Sequence, residues 1–371
     1  MRKDWEYKKL GEVCDILDSQ RKPVTKKDRK KGIYPYYGAT GIQDFVDNYI
    51  FDGRYVLVGE DGAKWSANEK CAYIIEGKTW INNHAHVLST KNMVIDSFLT
   101  YYLNFSDLDS YISGAIIRKL TQSSLKSIPI PLPPKPTQLA IVAELDKINE
   151  LIQLKKQQLE DYDQLAQSIF YEMFGDPVEN EKGWEVKKYG DLFTIGSGGT
   201  PSKAKEEYWN NGDIPWIGSN MCQNRIIYKT DGKYITKEGL NNSSAKLLMP
   251  GTILVALVGA TIGKVALLKT ETTTNQNIAF IKVNETKEFM PEYVYYFLMN
   301  QYNEFLNIGN GNFKMANLSF IKGLFITKAP LPLQQQFAAR IEAIERQKQQ
   351  VSETIKDLET LLASRMQYWF D

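Results

Sequence analysis

His84 and His86 are the only histidines in the chain and stand two residues apart, a spacing that puts both on one face of a strand. Two imidazoles on one face begin a metal site, but no third ligand stands nearby in sequence, so no metal is expected. Cys14, Cys71 and Cys222 are far apart and not in CxxC spacing, which points to a reduced compartment with neither a zinc site nor a disulfide framework. With so few histidines, no Ser/His/Asp or Cys/His set can be assembled. Gly259-Ala260-Thr261-Ile262-Gly263-Lys264 looks like a phosphate loop, yet it is one residue short and has no Ser or Thr after the lysine. A strand–turn–strand is expected there. Leu132-Pro133-Pro134 lacks the Asn or Asp and the aromatic that flank the prolines of an amino-methyltransferase. Glu185-Val186-Lys187 matches the tail of a metal-dependent nuclease motif, but it is answered in the first half by Glu6-Tyr7-Lys8 and suits a shared surface strand better.

What remains is a set of polar and basic side chains suited to nucleic acid. Arg and Lys fit guanine edges or phosphates, and Asn and Gln fit adenine. The first half offers Lys64, Trp65 and Ser66 after a strand, Asn82, Asn83 and His84 before the next, and Arg118, Lys119, Thr121 and Gln122 in an expected loop. The second half offers Ser197, Thr200, Ser202, Lys203, Asn220, Thr261, Lys264, Asn275, Gln276, Asn277 and Lys314. For any one of them, ordinary loop solvation competes with base contact. The set carries the expectation.

The elements that must position these loops come in pairs. From Pro131 to Gly175 a proline cluster opens a long run without Pro or Gly, rich in helix formers, and Gly175 and Pro177 close it. Leu145, Ile148, Ile152, Lys155, Leu159, Tyr162, Ala166, Ile169 and Met173 recur at alternating steps of three and four, the seam of a coiled coil. A second proline-led run carries the same seam in Ile341, Ile344, Lys348, Val351, Ile355, Leu358, Leu362, Arg365 and Trp369. Pairing the two seams antiparallel puts Lys155 near Leu358 and Lys348 near Ala166, with each ammonium free to snorkel to the edge.

The rest of the chain repeats as well. WEYKKLGEVCDI from Trp5 recurs as WEVKKYGDLFTI from Trp184, and GIYPYYG at Gly32–Gly38 as GDIPWIG at Gly212–Gly218. NNHAHVL from Asn82 parallels NQNIAFI from Asn275, and Pro134, Pro136 and Gln138 stay in step with Pro330, Pro332 and Gln334. Short apolar strands and one aromatic helix in each half give an α+β fold of two similar domains, with two long helices in an antiparallel coiled coil and a pseudo-twofold internal repeat. The expected divisions are 1–133, 134–175, 176–329 and 330–371.

Composition bounds the function without naming it. With 43% hydrophobic and 24% charged residues, and net charge +1, the chain is neither disordered nor globally basic. No apolar run reaches the ~18 residues of a membrane span, and the N-terminal stretch lacks a signal-peptide core, so a cytoplasmic protein without membrane contact is expected. Two similar readers on a fixed spacer suit a linear target, and DNA half-sites about one turn apart, ~34 Å, match that geometry. Because the halves differ outside their framework blocks, an asymmetric bipartite sequence is expected rather than a palindrome. A self-contained nuclease using Glu185 and Lys187, or a scaffold whose helices zip to another copy, are the alternatives.

The duplicated WE…KKLGEV opening resembles the specificity subunit of type I restriction–modification systems, as do GSGGTPS at Gly196–Ser202, IPWIG at Ile214–Gly218 and the proline-led entry to each long helix. The resemblance spans essentially the whole chain. It implies two target recognition domains, each reading one half of a split double-stranded DNA site, with the helix pair setting the gap. It implies a non-catalytic chain with no cofactor of its own. Two methyltransferase subunits would bring S-adenosylmethionine and methylate adenine, and restriction subunits would use ATP and Mg. Exposed helix residues such as Gln157, Glu160 and Arg346 would be docking surfaces. One departure stands out: Asp18-Ser19-Gln20-Arg21-Lys22-Pro23 occupies the place of GSGGTPS in the first half.

Overall fold

The computed structural model describes residues 5–114, 116–230, 232–307 and 315–371. The chain divides into two compact units, residues Met1–Gln157 with Ser352–Asp371, and Gln158–Val351. Each unit takes part of both long helices, which run Lys135–Phe174 and Leu331–Phe370, 40 residues each. At ~1.5 Å per residue each is a rod of about 60 Å. Gly175 ends the first with φ +73° and donates its N–H to the Tyr171 carbonyl at 2.8 Å, a left-handed C′ position that a side chain would strain.

In the first unit a six-stranded sheet has the order Cys14–Ile16, Ala85–Thr90, Phe51–Gly59, Ala72–Ile81, Lys31–Gly38, Gly41–Val46. A separate antiparallel pair, Glu6–Lys9 with Pro129–Leu132, leads into the helix. Helix Asp96–Phe105 buries Phe98, Leu99, Tyr102 and Leu103, and the end of the second long helix joins the same core through Met366 and Phe370. Phe370 lies 5.5 Å from Phe98 and 5.6 Å from Tyr102, both edge-on. Lys156 pairs with Glu359 at 3.1 Å, and Arg365 with Glu144, which fixes the two helix segments as antiparallel. Leu145, Ile148, Ile152 and Ile355 are buried along this stretch, and Leu358, Leu362 and Trp369 are half-buried.

The second unit repeats the plan. Its five-stranded sheet runs Thr194–Ser197, Ile278–Lys282, Thr252–Ala256, Val265–Leu268, Arg225–Ile227, beside a three-stranded sheet built on Ile214–Ile217. Val186–Lys188 pairs with Phe325–Thr327 as the framework ribbon. Phe170 and Phe174 enter the core against Tyr293 and Phe337, with Phe174–Tyr293 at 4.7 Å. Ala166, Ile341, Ile344 and Val351 are buried on the helices here, while Leu159, Tyr162, Ile169 and Met173 are half-buried. Lys348 bonds to Asp163 at 2.7 Å and to Glu345 at 2.8 Å, so it is held between two carboxylates rather than snorkelling alone. Burial pushes its ammonium pKa down, and those two carboxylates overcome this and hold it above the usual value.

Strand registers show how closely the halves match. Val56, Leu57, Val58 and Gly59 pair with Leu88, Val87, His86 and Ala85, as Ile253, Leu254, Val255 and Ala256 pair with Ile281, Phe280, Ala279 and Ile278. Tyr36 and Tyr37 run parallel to Trp80 and Ile81, as Trp216 and Ile217 run parallel to Thr273 and Thr274. Gln138 and Gln334, both fully buried, do the same work in each half. Gln138 accepts from the Ile95 N–H and donates to the Met93 and Pro133 carbonyls, each at 2.9 Å. Gln334 accepts from the Met290 N–H at 2.9 Å and donates to the Glu288 and Ala329 carbonyls at 3.2 and 2.8 Å.

Candidate nucleic-acid interface

In the first unit three loop regions meet at one end of the large sheet. Lys64, Ser66 and Arg118 line one depression of about 420 Å³ together with Ile116 and Ile117. Arg118 pairs with Asp109 at 2.5 Å, and Asp109 also accepts from Ser66 at 3.0 Å. These hydrogen bonds hold the exposed Asp109 carboxyl below the usual carboxylate range. His84 Nδ1 lies 2.5 Å from Asp61, whose backbone forms an isolated antiparallel β-bridge with that of Lys119. Asn83 is exposed at the same turn.

Beneath this surface lies a charge network that sequence reasoning missed. Asp18, Glu60 and His86 offer ligand atoms within 4.8 Å of one another. Two cations already serve the carboxylates: Arg21 bonds to Glu60 at 2.6 Å and lies 3.4 Å from Asp18, and Lys119 bonds to Glu60 at 2.7 Å. A metal ion would have to displace both, so the trio does not fit a metal site. His86 lies with Nδ1 2.6 Å from Asp18 and Nε2 2.8 Å from the Leu120 carbonyl, so both ring nitrogens face acceptors. Burial pushes the Asp18 carboxyl up, but the His86 hydrogen bond, the Val87 N–H and Arg21 outweigh it and hold it low. Glu60 is likewise pushed up by burial and brought below the usual range by Lys119 and Arg21.

By strand register the second unit has Ser197, Leu257 and Ala279 where the first has Asp18, Glu60 and His86. The network belongs to the first unit alone. In its place the Gly198–Ser202 loop is held by two indoles: Trp216 Nε1 donates to the Gly199 carbonyl at 3.0 Å and Trp209 Nε1 to the Ser202 carbonyl at 3.2 Å. A Cβ at Gly198 would lie 2.1 Å from the Thr274 hydroxyl, so the loop lies flush on the strand that ends there. Thr200 donates to Gln276 at 2.6 Å, and Lys264 to Gln223 at 3.3 Å. Ser202, Lys203, Asn220 and Gln276 are exposed, while Ser197, Thr200, Thr261, Lys264, Asn275 and Asn277 are half-buried. Asn275 accepts from the Asn277 N–H at 3.0 Å, a turn role. Lys314 lies outside the described residues.

Several sequence expectations change. Trp65 is 3% exposed and donates its indole N–H to the Gly59 carbonyl, and Asn82 is 2% exposed and accepts from the His84 N–H. Both shape the scaffold instead of presenting an edge to a ligand. Lys119, Thr121 and Gln122 are not loop residues: Lys119–Leu120 is a strand, and Thr121 caps the helix Gln122–Ser127 by accepting from the Ser124 N–H. Lys119 and Gln122 reach inward to Glu60 and Asp18. One expectation holds: the Gly259–Thr261 turn joins Thr252–Ala256 to Val265–Leu268 as a strand–turn–strand. Glu185 and Lys187 pair with each other at 2.6 Å on an exposed ribbon, which turns that dyad into a surface ion pair.

The type I restriction modification DNA specificity domain model matches residues 2–161 and again 181–360. The chain belongs to the type I restriction–modification specificity family. It is 32% identical over 302 residues to the putative type I restriction enzyme specificity subunit S.HindORF215P of Haemophilus influenzae, covering 79% of this chain and 75% of that protein. The MjaIX specificity subunit of Methanocaldococcus jannaschii is 23% identical over 385 residues, covering 92% of this chain and 87% of its own length. The fold is shared with the S subunit of a type I restriction–modification system from M. genitalium, at TM-score 0.58 and 13% identity over 99% of this chain and 96% of that one. As in a specificity subunit, the chain carries two target recognition domains on a common framework. Among the described residues no helix is long and apolar enough to cross a membrane.

Proposed function

We propose that this chain is the non-catalytic DNA-reading subunit of a cytoplasmic type I restriction–modification complex. The domains at 1–133 and 176–329 each read one half of an asymmetric bipartite site in double-stranded DNA. The helices at 134–175 and 330–371 set the gap between the half-sites. Two methyltransferase subunits dock on framework surfaces, with Gln157, Glu160 and Arg346 among the exposed helix positions, and methylate adenine with S-adenosylmethionine. Restriction subunits join with ATP and Mg. The observation that carries this reading is that the two units end the same strand registers in loops of different sequence, 60–71 and 82–84 in the first and 257–264 and 275–277 in the second. Variable side chains on a duplicated framework suit two different sequences read by one device.

Reconstituting the full chain with its neighbouring methyltransferase and assaying adenine methylation tests the proposal. Methylation confined to one bipartite sequence, and dependent on this chain, is the expected result. Cleavage of DNA by the chain alone with a divalent metal would overturn it.

A further inference from the structure

Ile116 and Ile117 are 97% and 70% exposed, and Ile116 is the most exposed large apolar side chain among the described residues. They sit on a built tip. Ile112–Ser113 pairs antiparallel with Lys119–Leu120, and the Ser113 hydroxyl donates to the Lys119 carbonyl at 3.3 Å. The return strand is tied to the sheet through the Leu120 N–H, which donates to the Glu60 carbonyl at 2.8 Å. Gly114 turns the tip with φ +94°, and a Cβ there would lie 2.1 Å from the Ile117 carbonyl oxygen. That position admits glycine only.

The surroundings say what such a tip would meet. Lys64 lines the same depression and Arg118 follows directly in the chain, so cations flank the two isoleucines. The ion pairs of Arg118 with Asp109 and Lys64 with Glu69 are solvent-exposed and therefore weak, which leaves both cations able to exchange a carboxylate for a phosphate. An apolar knob between cations fits duplex DNA, whose phosphates flank stacked base faces and whose base steps accept Ile, Leu or Phe as wedges.

We propose that Ile116 and Ile117 form an apolar wedge that parts one base step of the half-site read by the first domain, with Lys64 and Arg118 on the flanking phosphates. This rests on the DNA-reading function proposed above. The wedge makes local deformability of the DNA part of what the first domain selects, and pyrimidine–purine steps yield most easily.

The test uses the complex of the full chain with its methyltransferase partner, on a site found by mapping methylated adenines. 2-Aminopurine is placed in turn along the half-site. Fluorescence is expected to rise at one step on binding of the wild type, and not with the double variant Ile116→Ser/Ile117→Ser. That variant should bind at least about tenfold more weakly, with an unchanged salt slope and an unchanged second half-site. Ile116→Leu/Ile117→Leu should restore both signals. If the Ser variant binds and brightens like wild type, or if wild type brightens at no step, the wedge is overturned while DNA reading stands. If the wild-type complex selects no bipartite site, the DNA-reading function itself fails and the wedge with it.

Discussion

Asp18 is held below its ordinary pKa by contacts that exist only in the folded first unit, which gives its carboxylate a linkage with a definite sign. A depressed carboxyl contributes stability above its unfolded pKa, about 3.9, and that contribution is lost as pH falls through the folded value. Glu60 acts in the same direction. Asp18→Asn should therefore destabilise the first unit at neutral pH and flatten its loss of stability on acidification below about pH 4. Denaturant midpoints of wild type and variant at several pH values check this, and parallel pH profiles would contradict it. The network was not legible in the sequence because its members, at 18, 21, 60, 86 and 119, share no periodicity and meet only when three strands and a hairpin assemble. Trp65 and Asn82 misled for a related reason: aromatic and amide side chains in turn-rich stretches read as exposed, whereas here each satisfies backbone groups from inside. Ile116 and Ile117 were passed over because apolar residues read as core.

The long helices were legible because a long run free of Pro and Gly after Pro136 and again after Pro332, and a seam repeated in two places, leave few other folds. Their anchors were less so. Phe174 and Phe370 lie one residue beyond the seam positions Met173 and Trp369, and they are buried while those two are only half-buried. The lysine in each seam needs a partner to be tolerated, and for Lys348 the structure supplies two. Glu345 is 7% exposed, so removing its cation strands a buried carboxylate. Lys348→Ala should cost about 3 kcal/mol, whereas Lys348→Met combined with Glu345→Gln should recover most of that loss. Thermal or denaturant unfolding of the three proteins decides, and equal loss in both variants would show that packing rather than charge sets the cost.

The duplication is written in the strand registers of both units, and it was legible in the sequence through matched blocks whose order does not change. If the helices act as a ruler, their length and not their surface chemistry sets the distance between half-sites. Inserting four residues, about one helical turn and ~6 Å, into one exposed helix stretch should change the preferred gap and leave both half-sequences as they were. Sequencing of methylated sites reads both quantities at once. A changed half-sequence with an unchanged gap would mean that the helices do not measure.

Gln138 and Gln334 grip the domains only by main-chain atoms: two carbonyls and one N–H in each case. A clasp whose hydrogen bonds all go to main-chain atoms does not depend on which side chains its partner residues carry. Recognition loops can therefore drift, or arrive whole by recombination, without renegotiating their attachment to the helices, provided the backbone path past residues 93–95 or 288–290 is kept. If each domain reads its own half-site, as proposed, inheritance can then reshuffle specificity one half at a time, in the way a socket accepts any plug with the right pins.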